Sequence, residues 1–251
     1  MNTKLNYYKI AVGLLGFVEL QNAVGELIPL QEVIVSFRKT LLPETLLPFL
    51  VATKVLAAVV LLLPGFYQLK EWVFAGILID VLGAGFSYSL AGAYGAFGLY
   101  MVPPALLLWV FAYVQFRRHA RSMGYFLPGF THVRWRAVTY PFAILMMILG
   151  ASELSRAQPV IDSMNLLAFP IHSLFIIGSA KVLGGAALLL RGLTTVKHWA
   201  YAGFVFDFLG AVYLYLASGQ YPVFDLAMLA VLLLWLAASY WLFCSAEKNK
   251  G

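Results

Sequence analysis

The chain is poor in the residues that redox and metal proteins use. It has one cysteine and four histidines in 251 residues, so an intramolecular disulfide and a CxxC thiol relay are both excluded. Cys244, close to the end of the last apolar stretch, reads as a packing residue. Charge is low as well: 11% of residues are Asp, Glu, Lys or Arg, where a soluble domain carries roughly a quarter. No GxGxxG, Walker A or HExxH pattern occurs. What fills the chain instead is apolar, 62% of it. Stretches of about 20 residues recur, each long enough to span ~30 Å of hydrocarbon at ~1.5 Å per residue. Eight can be marked, near 7–25, 44–63, 70–91, 96–116, 137–154, 166–190, 197–218 and 221–243. The expectation is an all-α polytopic membrane protein of about eight transmembrane helices, with the lipid bilayer as its first partner.

The basic residues fall on one side of these spans. Lys4, Lys9, Lys70, Arg117, Arg118, Arg121, Arg134, Arg136, Arg191, Lys197, Lys248 and Lys250 flank one face, whereas only Arg38, Lys39 and Arg156 flank the other. Lys and Arg excess marks the cytoplasmic side, so both termini are expected there, in a bacterial cytoplasmic (inner) membrane. The formal net charge of +6 is this asymmetry, and no nucleic acid is expected as a partner. The first span follows Lys4 and Lys9 too closely, and Glu19 interrupts it, so it reads as a retained span and not as a cleaved signal.

The chain is a duplication. Lys54 to Tyr88 lies on Lys181 to Tyr215 at a fixed offset of 127 residues without a gap, and 16 of the 35 positions are identical. The repeated residues include Gly65/Gly192, Lys70/Lys197, Trp72/Trp199, Asp80/Asp207 and Gly83-Ala84/Gly210-Ala211. The polar stretch with Pro128 and Gly129 divides two four-span halves: 1–120, a linker 121–136, and 137–251. Four spans is an even number, so the halves are parallel repeats related by an axis along the membrane normal. For the first spans a second register suggests itself: Gly16-Phe17-Val18-Glu19-Leu20 on Gly150-Ala151-Ser152-Glu153-Leu154, at 134. That register makes the first external connection seven residues longer in the N-terminal half. Residues 26–43 then read as a short amphipathic helix at the outer interface, with a lid over a cavity as the other reading.

The third spans place Gly76, Asp80, Gly83/Ala84 and Tyr88 on one helix face, and Gly203, Asp207, Gly210/Ala211 and Tyr215 repeat it. Small residues at this spacing let helices approach closely in lipid, so each Asp is expected to face protein. Lys54 precedes Pro64 by ten residues and Asp80 follows Lys70 by ten, which puts both ~15 Å from the cytoplasmic surface, near the bilayer middle. Glu19 obeys the same count from Lys9, while Glu153 sits nearer the outer face. A charge at the helix centre costs ~2.5–3.5 kcal/mol on insertion scales, so each half is expected to gather a cluster: Glu19, Lys54 and Asp80, then Glu153, Lys181 and Asp207. Two readings stand side by side, a lock between helices and a ligand or proton site. Haem is disfavoured, because His119, His132 and His198 fall in or beside cytoplasmic connections and only His172 is left near a span. A lysine between the carboxylates argues against a metal. Lys70-Glu71-Trp72 and Lys197-His198-Trp199 read as headgroup anchors.

The run Leu61-Leu62-Leu63-Pro64-Gly65, with Leu69 to Gly76 and Asp80 to Ala84, resembles the DoxX-like family of bacterial membrane proteins. Leu188-Leu189-Leu190-Arg191-Gly192, with Lys197 to Phe204 and Asp207 to Ala211, resembles it equally. The resemblance implies two fused four-helix modules. It also implies the company of quinone-linked thiosulfate oxidation subunits and of partners in oxidative-stress complexes. The chain departs from the family's Gly-x-x-Lys-Leu at the end of the first span, with Glu19-Leu20 and Glu153-Leu154 there, so an anion site built on that lysine is not preserved. The leading functional expectation is an accessory redox module with membrane or redox protein partners. It would bind a small lipophilic ligand of the quinone kind through Lys54, Asp80, Lys181 and Asp207, with Tyr88 and Tyr215 beyond them. The alternatives are a transporter or channel subunit for a small solute or proton, and a membrane chaperone or assembly factor.

Overall fold

In lipid every backbone polar group must be satisfied within the protein, and a long apolar segment achieves this as a helix. The computed structural model describes residues 2–28, 31–39, 42–90, 92, 97–127, 133–219 and 222–245, and these are helical with short connections. Pro128, Gly129, His132, Lys248 and Lys250, used in the sequence reading, lie outside the described residues. The helices are α1 (Asn2–Leu27), α2 (Gln31–Lys39), α3 (Leu47–Leu62), α4 (Tyr67–Leu90), α5 (Phe97–Ser122), α6 (Val133–Leu154), α7 (Gln158–Leu166), α8 (Ser173–Leu189), α9 (Thr194–Ala217) and α10 (Val223–Ser245). Each of the eight expected stretches overlaps one helix of 16 residues or more. Among the described residues, six helical stretches are long and apolar enough to cross a membrane: Tyr7–Leu27, Glu44–Leu62, Tyr67–Leu90, Val133–Leu154, Thr194–Ala217 and Val223–Ser245. Ser173–Leu189 is apolar but shorter, because the start of the expected 166–190 span belongs to the end of α7 and a turn. Helices also claim both ends of the expected linker, α5 running to Ser122 and α6 starting at Val133.

The chain forms two compact units, Met1–Phe126 and Leu127–Gly251. Within the first, α1 packs on α3 and α5, and α4 packs on α3 and α5, a four-helix ring in which each helix touches its two neighbours. Neighbours run antiparallel: Gly16 of α1 faces Leu62 at the end of α3 whereas the later Glu26 meets the earlier Lys54, and Tyr8 early in α1 stacks on His119 late in α5. The second unit repeats the ring with α6, α8, α9 and α10. The turns into α4 and α9 repeat as well. Gly65 and Gly192 both stand at φ 77°, a left-handed conformation that glycine adopts without Cβ strain.

The repeat keeps one register throughout. The ends of α1 and α6, both ends of α4 and α9, and the starts of α2 and α7 are all 127 residues apart. This overturns the 134 register for the first spans and, with it, the longer first external connection. The short helix expected at 26–43 is α2, and α7 is its counterpart, which the sequence reading had not marked. The error has a simple cause. Seven residues are two helical turns less about 20°, so a short Glu-Leu pattern on α1 matches itself one heptad away: Glu19-Leu20 and Glu26-Leu27 both fit Glu153-Leu154.

Gly83 does not make the close approach expected of it. A Cβ on Gly83 of α4 would meet nothing within 4 Å, whereas one on Gly150 of α6 would stand 2.6 Å from the Gly178 carbonyl oxygen of α8. Reciprocally, a Cβ on Gly178 would stand 2.7 Å from the Gly150 oxygen, and one on Gly185 would stand 2.7 Å from that of Ala143. The tightest contact of the second unit is therefore α6 on α8, the two helices that carry Glu153 and Lys181.

Candidate functional site

On α3 the buried residues Lys54, Ala58 and Leu61 follow i, i+4, i+7, so the lysine stem enters the bundle on the same stripe as the apolar core. Its ammonium donates a hydrogen bond to Glu26 Oε1 and stands 3.6 Å from Asp80 Oδ2. In the second unit Lys181 donates to Glu153 Oε1 and lies 3.3 Å from Asp207 Oδ2. Each unit thus joins its first, second and third long helices through one ammonium and two carboxylates. The carboxylates are not saturated. Glu26 Oε2 and Glu153 Oε2 are buried and accept no hydrogen bond.

One placement differs from the sequence reading. Glu26, not Glu19, is the lysine's partner and the true counterpart of Glu153, a role the sequence signalled only through the constant offset. Glu26 is the penultimate residue of α1, whereas Lys54 and Asp80 lie mid-way along α3 and α4.

Glu19 stands apart. It is 4% exposed, two turns before Glu26 on the same helix face, and within the described residues it has no ion pair. The charges acting on it are those of Asp80, Lys54 and Glu26. In the constant register its counterpart is Met146, which is fully buried. The tyrosines do not join the clusters alike. The Tyr215 hydroxyl turns to Asp225 Oδ2, 3.4 Å away at the start of α10, a partner the sequence reading missed. Tyr88 is half-buried on α4. Asp80 keeps 38% of its side chain exposed and Asp207 26%, so neither is fully enclosed by protein.

At the opposite ends of the bundles the expected anchors are enclosed. Lys70 and Lys197 are 1% and 2% exposed and do not reach out to headgroups. Lys70 donates to the Tyr8 hydroxyl at 3.0 Å. Lys197 donates to the Leu188 carbonyl at 3.1 Å and lies 4.4 Å from the Trp135 ring centre. Beside them the units have diverged. Glu71, fully buried, pairs with Arg117 and accepts from the Tyr113 hydroxyl at 3.1 Å, while the corresponding His198 meets the Tyr240 hydroxyl at 3.1 Å. Among the described residues, the second unit alone has a buried hydroxyl chain. In it Trp135 Nε1 donates to Tyr201 at 3.0 Å, and Ser239 Oγ lies 2.6 Å from the Tyr201 hydroxyl and 2.5 Å from Thr139 Oγ1. Phe74, Val12 and Ala112 stand at the equivalent places of the first unit.

Within the described residues no group of three His, Cys, Asp or Glu side chains could hold a metal ion. The arrangement offers instead an ammonium held between two carboxylates, each such set beside a free acceptor oxygen. Residues 137–239 match the family model of the DoxX-like family. No curated protein and no solved structure matches the chain.

Proposed function

We propose that the chain, a multi-pass helical membrane protein whose residues 137–239 match the DoxX-like family, is an accessory module of that family binding one small lipophilic ligand per unit at the lysine–carboxylate clusters. The observation that carries this reading is the buried acceptor oxygen with no partner, Oε2 of Glu26 and of Glu153, beside an ammonium with a third N–H to give. A buried acceptor left without a donor costs about 1–3 kcal/mol, more when charged. A ring compound carrying both a hydroxyl and a carbonyl or second hydroxyl satisfies both groups at once, and the quinone–quinol class has that chemistry. Asp80 and Asp207, partly open, line the approach. The first unit is proposed as a second DoxX-like module fused to the matched one. The basic face, with both termini, is proposed to be cytoplasmic in a bacterial inner membrane.

A second reading is supported by the ion pairs themselves. One ammonium tying three helices is what a purely structural lock requires. The readings separate when the protein is extracted mildly from its membrane and the small molecules that travel with it are identified by mass spectrometry. Ligand binding predicts a lipophilic hydroxyl or carbonyl compound near one or two equivalents, lost from D80N/D207N with helicity unchanged. Bulk lipid alone in the wild type, or a ligand retained equally by the double variant, refutes it and leaves the lock.

A further inference from the structure

We propose that Glu19 is a proton-exchanging carboxylate peculiar to the first unit, and that the second unit, with Met146 in its place, has lost or never had this function. The two units of the duplication are then chemically unequal: one carries a proton site beside its lysine cluster and the other does not.

The constant 127-residue register makes the inequality visible. Glu26, Lys54 and Asp80 each recur, as Glu153, Lys181 and Asp207, but Glu19 falls on Met146. Both side chains point into their bundles. The buried residues of α1 include Tyr8, Ala11, Val12, Leu15, Glu19 and Ala23, and Met146 lies between Ala143 and Gly150 on the same stripe of α6. Methionine fills that place in an otherwise similar ring of helices, so packing alone does not call for a carboxylate. The first unit therefore sets three buried or half-buried carboxylates against one ammonium, where the second sets two. Lys54 is already engaged by Glu26 and Asp80, and Glu19 is left with no ion pair among the described residues.

An enclosed carboxylate in that position needs a positive charge or a proton. A metal is not favoured, since no three ligating side chains converge within the described residues and the Lys54 ammonium stands among the acids. A proton remains. The groups that face Glu19 are Lys54 from α3, Asp80 from α4 and Glu26 on its own helix. The α5 helix also packs on α1, but its His119 stacks on Tyr8, about three turns of α1 from Glu19, and Arg117 and Tyr113 precede it on α5 by about half a turn and one and a half turns. Because the lysine and Asp80 adjoin it, whatever displaces Asp80 from Lys54 changes the charge that Glu19 feels, which couples proton uptake to occupancy of the cluster.

The test is a pH titration of the full chain in vesicles of zwitterionic phospholipid, read by infrared difference spectroscopy in the carboxylic-acid C=O region. The wild type is expected to show a protonated-carboxyl band that rises and falls with pH, absent from E19M and E19Q and present in E26Q and E153Q. M146E is expected to add a second such band. E19M introduces the residue the other unit already uses, and E19Q preserves shape, so at least one variant keeps the fold, checked by circular dichroism. A band that survives in both, or no titrating band in the wild type between about pH 5 and 9, overturns the proposal. The titration needs no ligand. Failure of a lipophile to travel with the protein therefore sinks the ligand reading and leaves this one standing, and the converse holds equally.

Discussion

Exchanging the two glutamates of α1 separates the register read here from its rival. Lys54 and Glu26 are both enclosed, with 10% and 15% of their side chains exposed. E26Q removes a charge-assisted hydrogen bond worth ~1.5–3 kcal/mol. The full ~3–5 kcal/mol of a broken buried pair is not expected, because Asp80 at 3.6 Å still balances the ammonium. At about 2–4 °C per kcal/mol for a chain of this size, the apparent melting midpoint in one fixed micelle should fall by ~3–12 °C. E153Q should lose a similar amount, since Lys181 is held in the same way. E19Q removes no ion pair and relieves an enclosed acid, so its midpoint should lie at or above that of the wild type. Melting is followed by circular dichroism at one scan rate, because membrane proteins of this kind unfold irreversibly. An E19Q loss as large as that of E26Q would refute the assignment of Glu26 as the lysine's partner and restore the 134 register.

Three further outcomes follow from the same geometry, each read as a shift of that midpoint. G178A puts a Cβ 2.7 Å from the Gly150 carbonyl oxygen and should cost ~1–3 kcal/mol of overpacking, whereas G83A, with nothing within 4 Å, should be neutral or gain up to ~1 kcal/mol of helix propensity. T139V leaves the Ser239–Tyr201 contact at 2.6 Å and should cost about 0.6 kcal/mol, with ~1.7 as the upper end for a hydroxyl contact between membrane helices. K197M deletes an enclosed ammonium that has no carboxylate partner among the described residues and should be tolerated, while K181M strands Glu153 and Asp207 together and should cost ~3–5 kcal/mol. Equal losses in the two lysine variants would contradict this division.

The clusters were half legible in the sequence. Lys54, Asp80, Lys181 and Asp207 announce themselves, because a charge inside a 20-residue apolar run is too unfavourable to be there without a partner and each pair repeats at 127. Their acidic partner was misassigned in the first unit. Glu19 and Glu26 share a helix face, and periodicity cannot say which of two turns a lysine on another helix will reach. Lys70 and Lys197 show the same limit. Their place at a helix start suggested snorkelling, and only the packing of Tyr8 and Trp135 over them reveals that they are enclosed.

Apolar run length and the repeat therefore determined, from the sequence alone, the all-helical membrane class, the division into two similar halves and the presence of buried charge in each. These are properties of single segments: a helix in lipid satisfies its own backbone, and a duplication is a comparison of the chain with itself. Tertiary structure decided which carboxylate meets which lysine, that α6 and α8 touch through Gly150 and Gly178 while Gly83 stands free, and that Glu19 has no equivalent in the second unit. Those facts belong to pairs of helices, and the relative rotation and height of two helices are fixed by side-chain packing between them, which no period within one segment encodes.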